Sequence, residues 1–341
     1  TLLASSAASD VYKRQTIMLP KNIPYFFFNT LKSCKTKIIW GDDLCLSHRS
    51  IKNYIEIKNI KECHIHDAVA LVRFLYWLEN QDFTKNLNEF DVSKKLEELR
   101  KENKNFISPS FPTISAVGEN GAIIHYCPQE HNSKLLQEGE LYLCDSGGQY
   151  TYGTTDVTRT VLIGEKTKYL KEFQDIYTRV LIGHINLTSL KFPDDTKGSQ
   201  IDAIARVALW ETFKDYAHGT GHGVGSFLSV HEGPQSISRG TNNTILKPGM
   251  IVSIEPGYYE EKKYGIRLEN LVLITKSINK KFLMFEPLTL VPFQKKLINK
   301  KIMNSNQIMW LNTYHQFVYK KLKNFLSKSE QRWLLNQTKQ I

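Results

Sequence analysis

The stretch "YLCDSGGQYTYGTTDVTRTVLIG" (residues 142–164) places two aspartates eleven positions apart between runs of strand-forming residues. Asp145 ends an apolar run, and Asp156 lies among threonine and valine, which favour β-strands. Three glycines between the aspartates supply the residue type that tight reversals need. The stretch is therefore predicted to form a β-hairpin with Asp145 opposite Asp156, their Cβ atoms about 4.5–5.5 Å apart.

Two carboxylates this close repel each other, which would raise the pKa of one of them. A pair of divalent cations removes the conflict, because paired metals about 3.5–4 Å apart share carboxylate ligands. From this stretch alone, two exposed turn aspartates are an equally acceptable interpretation, so the metal hypothesis needs further carboxylates.

A second stretch, "MIVSIEPGYYEEKKYGIRLENLVLI" (residues 250–274), repeats the arrangement. Glu255 ends one apolar strand, and Glu269 is predicted to lie inside the next, where an uncompensated carboxylate is unfavourable. The alternative is a hairpin with two surface glutamates. Together the two hairpins offer a formal charge of about −4, which matches two divalent ions.

The third stretch, "HGTGHGVGSFLSVHEG" (residues 218–233), alternates glycine with other residues. In an extended chain this alternation leaves one face bare and places His218, Thr220 and His222 on the other. The four glycines oppose the helix that a HExxH zinc motif requires. A lone histidine is usually structural, but three in this segment, with His231 as the third, indicate metal ligands or acid–base groups.

Composition narrows the class of protein. The 341 residues carry a net charge of +11, but the basic residues are spread along the chain and no nucleic-acid-binding motif accompanies them, so we expect no nucleic-acid partner. No window approaches the roughly 18 apolar residues of a membrane span, so we expect no membrane association. Five cysteines without a CxxC pair favour reduced thiols and a cytosol-like compartment.

The N-terminal region is unusual. Residues 5–15 can be encoded by a sequencing-library adapter, so we predict that residues 1–15 are not native and that the true N-terminus is missing. Residues 16–50 are predicted to be the remnant of a preceding domain.

The hydrophobic spacing predicts an amphipathic helix that begins near residue 51. Further helices are predicted at 92–104 (largely solvent-facing), 168–190, 199–215 and 305–341. Strands are predicted within 113–126, 140–145, 154–163, 217–230, 249–259 and 265–275.

The motifs DSG, TTDVTRT, HGTGHGVG, EPGYY and GIRLEN, with SFPTISAVGENGAIIHY, FEPLTLVPF and WLNTYHQF, resemble the metal-dependent aminopeptidase P (Xaa-Pro aminopeptidase) family from about residue 51 to the C-terminus. The resemblance implies an α+β "pita-bread" fold, with two pseudo-symmetric halves of curved antiparallel sheet backed by helices. It divides the chain into a catalytic domain at 51–290 and a C-terminal helical extension at 291–341.

The resemblance also implies a ligand set for two divalent metal ions. Asp145 would hold one ion, His222 and Glu255 the other, and Asp156 and Glu269 would bridge both. The family usually uses Mn²⁺, and oxygen-rich ligation with one imidazole would also admit Zn²⁺ or Co²⁺.

Catalytic roles follow from the same resemblance. Glu255 is the expected acceptor of the proton from the attacking water. His125, His218 and His231 are expected to line the site, position the peptide and donate hydrogen bonds. Arg267 precedes Glu269 by two residues and so is predicted to share its strand face, where it would offset carboxylate charge.

The implied reaction removes the N-terminal residue from peptides with proline in second position. A prolidase-type Xaa-Pro dipeptidase with the same ligand order is the nearest alternative. A non-catalytic pita-bread protein that binds histones or RNA is the alternative from another class. The resemblance further implies a homodimer and a cytoplasmic location.

Overall fold

A computed structural model of the protein describes residues 15–34 and 36–341. Residues 1–14, nearly all of the segment predicted to be adapter-derived, lie outside the described residues. The described residues separate into two units, one that ends at Arg49 and one that comprises Ser50–Ile341. In the first, β1 (Thr16–Pro20) pairs in parallel with β2 (Lys37–Gly41), helix α1 (Tyr25–Ser33) connects them, and α2 (Leu44–Ser50) follows.

Two helices open the second unit. The side chain of Asn53 caps α3 (Tyr54–Glu79) in a capping box with Glu56, and the predicted apolar stripe from residue 68 to 78 is buried. Helix α4 (Glu89–Lys101) begins three residues before the predicted start. Its buried face includes Val92, Leu96 and Leu99, so the prediction of a largely solvent-facing helix is wrong.

The first carboxylate-bearing stretch does not form a simple hairpin. Strands β4 (Ile114–Val117), β5 (Leu141–Ser146) and β8 (Val157–Leu162) form an antiparallel sheet in the order β4-β5-β8. A second small sheet contains β3 (Phe106–Pro109), β6 (Gly148–Tyr150) and β7 (Gly153–Thr154).

The predicted pairing of Asp145 with Asp156 is wrong. The glycine-containing segment between the aspartates forms its own hairpin, β6–β7, and leaves the β5 sheet. Asp145 therefore pairs with Thr158, and Asp156 lies just before β8 begins.

The second carboxylate pair borders a four-stranded sheet. Its strands are β12 (Ile251–Ile254), β15 (Asn270–Lys276), β16 (Phe282–Pro287) and β9 (Lys191–Pro193), in that order. The hairpin β13 (Gly257–Glu260) and β14 (Tyr264–Arg267) is inserted between β12 and β15. Ile254 pairs with Asn270, so Glu255 and Glu269 flank the last paired residues, and Glu269 lies between strands rather than inside one.

The glycine-rich segment is mostly irregular. Only β10 (Gly221–His222), paired with β11 (Ser236–Ile237), is strand within the predicted 217–230. Glycine is required at Gly221 because a Cβ there would lie 1.9 Å from the carbonyl oxygen of Ser253 on β12. Short 3₁₀ turns and α6 (Val207–Trp210) replace the helix predicted at 199–215.

Helices α5 (Leu170–Thr188), α7 (Ser305–Leu322) and α8 (Lys328–Gln337) complete the second unit. Buried apolar side chains of all three belong to the same hydrophobic cluster as those of α3 and β5. Helices packed on antiparallel sheets give the predicted α+β class. None of the helices in the described part of the chain is long and apolar enough to cross a membrane.

Candidate metal centre

Three buried carboxylates from three different segments meet between the sheets. Asp145 comes from β5, Asp156 precedes β8, and Glu269 precedes β15; one carboxylate oxygen of each lies within 4.8 Å of the others. Oδ1 of Asp145, Oδ1 of Asp156 and Oε1 of Glu269 are buried and have no hydrogen-bond partner among the described residues. A buried polar atom without a partner is costly, so these three oxygens indicate a missing positive ligand.

His222 and Glu255 complete the cluster. The Nδ1 atom of His222 donates to the carbonyl oxygen of Gly223 at 3.0 Å, which leaves Nε2 to accept. Nε2 lies 3.4 Å from Oδ2 of Asp156 and 3.5 Å from Oε1 of Glu255. The five predicted ligands are therefore brought together, with His222, Glu255 and Glu269 forming a second group of ligand atoms within 4.8 Å.

The carboxylates raise one another's pKa values, as expected from their proximity. Burial and the charges of Asp145 and Glu255 raise the pKa of Asp156 well above its usual range. Burial and the charges of Asp156 and Glu255 raise the pKa of Glu269 in the same way, and burial raises that of Glu255. Four oxygen-ligand residues and one imidazole with orphaned, mutually repelling oxygens fit a pair of divalent cations.

Arg267, the last residue of β14, lies beside the cluster. Its Nη2 donates to Oδ2 of Asp145 at 2.6 Å, its Nε to Oγ1 of Thr158 at 3.3 Å, and its Nη1 to the hydroxyl of Tyr259 at 2.7 Å. The guanidinium thus binds Oδ2 of Asp145, and Oδ1 remains available to the cluster.

Tyr259 links Arg267 to His218 and was missed by sequence reasoning. His218 donates through Nδ1 to the carbonyl oxygen of Gly219 and accepts through Nε2 from the Tyr259 hydroxyl, each at 2.8 Å. Burial lowers the pKa of His218 to about 4 and raises that of Tyr259 to about 12, so both are neutral near pH 7. The two-residue alternation from Glu255 to Tyr259 could have indicated this tyrosine.

The remaining predicted histidines differ in their placement. The ring of His231 packs edge-to-face on His222, with centroids 4.2 Å apart. His125 lines the cavity and is exposed within it. Thr220, predicted to share the face of His218 and His222, is buried instead and donates to Asp202 at 2.6 Å.

A cavity of about 500 Å³ contains all of the predicted site residues, within the usual size range of small-molecule sites. Its lining combines these charged and histidine side chains with an apolar part that includes Phe111, Pro112, Ile114, Ile124, Tyr126 and Val230. The cavity can therefore accept an uncharged segment of a ligand beside the carboxylates.

Comparison with known proteins supports the resemblance. Residues 58–276 match the model of metallopeptidase family M24, and residues 281–341 match the C-terminal region of peptidase M24. Xaa-Pro aminopeptidase 1 of Dictyostelium discoideum is 46% identical over 310 residues, covering 87% of this chain and 49% of that protein. The chain thus spans about half the length of the curated relatives it matches.

Solved structures agree. The X-prolyl aminopeptidase of Caenorhabditis elegans, described as a cytosolic enzyme with a di-nuclear active site, has a TM-score of 0.89 and 37% identity, covering 96% of this chain and 54% of that one. Prolidase from Pyrococcus furiosus has a TM-score of 0.66 and 28% identity, covering 83% of this chain and 78% of that one. The predicted α+β pita-bread fold and the resemblance to aminopeptidase P are confirmed.

Proposed function

Since the chain belongs to metallopeptidase family M24, we propose that it is a dinuclear metal-dependent aminopeptidase that removes the N-terminal residue from peptides with proline in second position. The observation that supports this most directly is the group of three buried carboxylates, Asp145, Asp156 and Glu269, each with one oxygen that lacks a hydrogen-bond partner among the described residues.

The proposed ligand set assigns Asp145 to one ion, His222 and Glu255 to the other, and Asp156 and Glu269 to both. When bound, a pair of divalent cations supplies Lewis acidity and lowers the pKa of water to about 7. We propose Mn²⁺ as the native metal, with Zn²⁺ or Co²⁺ compatible with the same donors.

The chain's own residues supply positioning and proton transfer. Glu255 accepts the proton of the attacking water, since its carboxylate lies at the edge of the cluster beside Nε2 of His222. The rings of His231 and His125 orient the peptide, and His218, whose two ring nitrogens bond Gly219 and Tyr259, contributes a packing surface for it. Arg267 fixes Asp145 through their ion pair.

Proline in the second position is consistent with the apolar walls of the cavity. The tertiary amide of proline has no N–H, so a site that recognises it cannot depend on that donor. The apolar walls offer contact area to the pyrrolidine ring without requiring a hydrogen bond.

The substrate test compares the tripeptide Arg-Pro-Pro with the dipeptide Arg-Pro. Release of arginine from the tripeptide by the Mn²⁺-loaded protein is the result that we expect. Cleavage restricted to the dipeptide would favour the prolidase-type alternative. Purified protein that binds no metal and cleaves neither peptide would favour the non-catalytic alternative.

Oligomeric state and location complete the proposal. We propose a homodimer, as the family resemblance implies, and a cytoplasmic location, which is supported by the similarity to the C. elegans protein described as cytosolic. Sedimentation velocity across a range of concentrations tests the dimer, and a monomer at all of them would refute it.

A further inference from the structure

Glu89 is a fully buried carboxylate that the proposed mechanism does not use. It is the first residue of α4, directly after the helix cap Asn88. An acidic side chain is favourable at this end of a helix because of the helix dipole. The main chain of Glu89 is also fixed, since its N–H donates to Lys134 and its carbonyl oxygen accepts from Ser115.

Both carboxylate oxygens of Glu89 accept hydrogen bonds from the segment 117–127, part of which lines the cavity, and one of them also accepts from Lys134. Oε1 accepts from the main-chain N–H of Val117 at 2.7 Å and from Asn120 at 3.0 Å. Oε2 accepts from the hydroxyl of Tyr126 at 2.7 Å and from the main-chain N–H of Lys134 at 2.9 Å. All of these groups are hydrogen-bond donors. They are satisfied only when both side-chain oxygens of residue 89 act as acceptors.

The same segment is held from its other side by β14. The carbonyl oxygen of Gly121 approaches Gly265 so closely that a Cβ on Gly265 would lie 1.7 Å from it. Gly265 is two residues before Arg267, which binds Asp145. The segment from 117 to 127 therefore lies between a buried acceptor and the strand that carries Arg267.

Four consecutive residues of this segment, Ile124 to Cys127, line the cavity. Tyr126 points its hydroxyl to Glu89, and His125 is exposed to the cavity. Fixing the Tyr126 side chain fixes the main chain on which His125 sits.

We infer that Glu89 is a positioning residue: through Tyr126 and the 117–127 segment, it holds His125 in place for the peptide substrate. The kinetic part of this inference rests on the proposed function, whereas the structural part does not.

The experiment uses Glu89→Gln, which keeps the shape of the side chain but replaces one accepting oxygen by an NH2 group. This new donor faces groups that are themselves hydrogen-bond donors. The matched control is Glu119→Gln, an exposed glutamate on the same segment. Tyr126→Phe, which removes only the hydroxyl, serves as the second variant if Glu89→Gln does not fold. Hydrogen–deuterium exchange of the metal-loaded protein is measured for the peptide covering 117–127.

We expect exchange in this peptide to be at least about tenfold faster in Glu89→Gln or Tyr126→Phe than in Glu119→Gln. Unchanged exchange in the folded variants would overturn the inference, whether or not the protein is a peptidase. Wild-type protein without peptidase activity would instead refute the proposed function.

A double-mutant cycle separates positioning of His125 from general loosening. Glu89→Gln should lower kcat/KM by at least about tenfold in the wild-type background and by less than about twofold in a His125→Ala background. An equal loss in both backgrounds would show that Glu89 does not act through His125.

Discussion

Arg267 and Asp145, 122 residues apart in the chain, form a buried ion pair with Nη2 2.6 Å from Oδ2. The same guanidinium binds the hydroxyls of Tyr259 and Thr158. It therefore fixes the rotation of the Asp145 carboxylate and leaves Oδ1 without a partner among the described residues, available to a metal.

Arg267→Gln should weaken metal binding. Because partners that orient a ligand typically contribute about 10–100-fold to metal affinity, we expect a loss of that size, with a similar loss in kcat/KM. Calorimetric titration with Mn²⁺ measures it. The control is Arg239→Gln, which breaks an exposed ion pair with Asp215; affinity equal to wild type in Arg267→Gln would contradict the role.

Asp156→Asn should separate metal affinity from the stability of the metal-free protein. The repelling carboxylates raise the pKa of Asp156, so removing its charge relieves repulsion while removing a ligand. We expect metal-free Asp156→Asn to melt no lower than metal-free wild type and to gain little from Mn²⁺, whereas wild type gains several degrees. Melting with and without a chelator measures this, with the exposed Asp195→Asn as control.

Lower pH should also weaken metal binding. The raised pKa values of Asp156 and Glu269 mean that protons compete with cations for the same oxygens. Titrations in buffers of different ionisation enthalpy should show proton release on Mn²⁺ binding. Binding without proton release, at unchanged affinity between pH 6 and 8, would disagree with the clustered geometry.

Two buried histidines should make the fold sensitive to acid. Burial lowers the pKa of His184 and of His315 to about 3. Below pH 6.5 the unfolded chain binds more protons than the folded one, so the unfolding free energy falls towards pH 3 by up to about 1.4 kcal/mol per pH unit for each histidine.

The buried carboxylates, whose pKa values are raised, change the unfolding free energy in the opposite direction as the pH falls. The contribution of a histidine is therefore measured as the difference in slope between variant and wild type. His315→Gln keeps an acceptor for the main-chain N–H of Phe293 and should reduce the slope between pH 4 and 6 by about one histidine's contribution. Urea unfolding measures it, and His131→Gln, at an exposed position, should leave the slope unchanged. A slope unaffected by His315→Gln would show that His315 is protonated in the fold.

Removal of residues 291–341 should unfold the second unit. Buried Arg159 donates to the carbonyl oxygens of Val291 and Pro292 at 2.6 and 3.2 Å and to the hydroxyl of Tyr314 at 3.2 Å. It also donates to the carbonyl oxygen of Glu269 at 2.6 Å, so Arg159 links the C-terminal residues to the backbone of a candidate ligand. We expect circular dichroism to show that a chain ending at 290 is unfolded.

Tyr314→Phe provides the graded version of this experiment. It removes the hydroxyl that bonds Arg159 and Val291, and should cost about 0.5–1.5 kcal/mol of unfolding free energy. A chain ending at 290 that unfolds cooperatively and binds metal would show that the predicted C-terminal helical extension, 291–341, is separable from the rest of the second unit.

The five candidate ligands were predictable because each lies in a distinctive motif whose order along the chain is itself informative. The amphipathic stripe of α3 was predictable because helical spacing reports burial directly. The register around Asp145 was not, because glycines indicate that a chain turns without indicating which sheet it joins next.

The supporting residues were harder to predict. Glu89 directly follows the helix cap Asn88, and its sequence neighbours do not indicate that Val117, Tyr126 and Lys134 donate hydrogen bonds to it. In the sequence, Arg159 is a basic residue within a predicted strand. In the structure, α7 and the 291–293 segment pack over it. Such contacts depend on tertiary packing between distant segments, which local pattern does not encode.

The measurement that tests the central claim most directly is an anomalous difference map from crystals of the Mn²⁺-loaded protein. We predict two peaks, one beside Asp145 and one beside His222 and Glu255, with Asp156 and Glu269 between them. A map with no peak among these five side chains, in crystals grown with saturating Mn²⁺, would contradict the assignment of this site as a dinuclear metal centre.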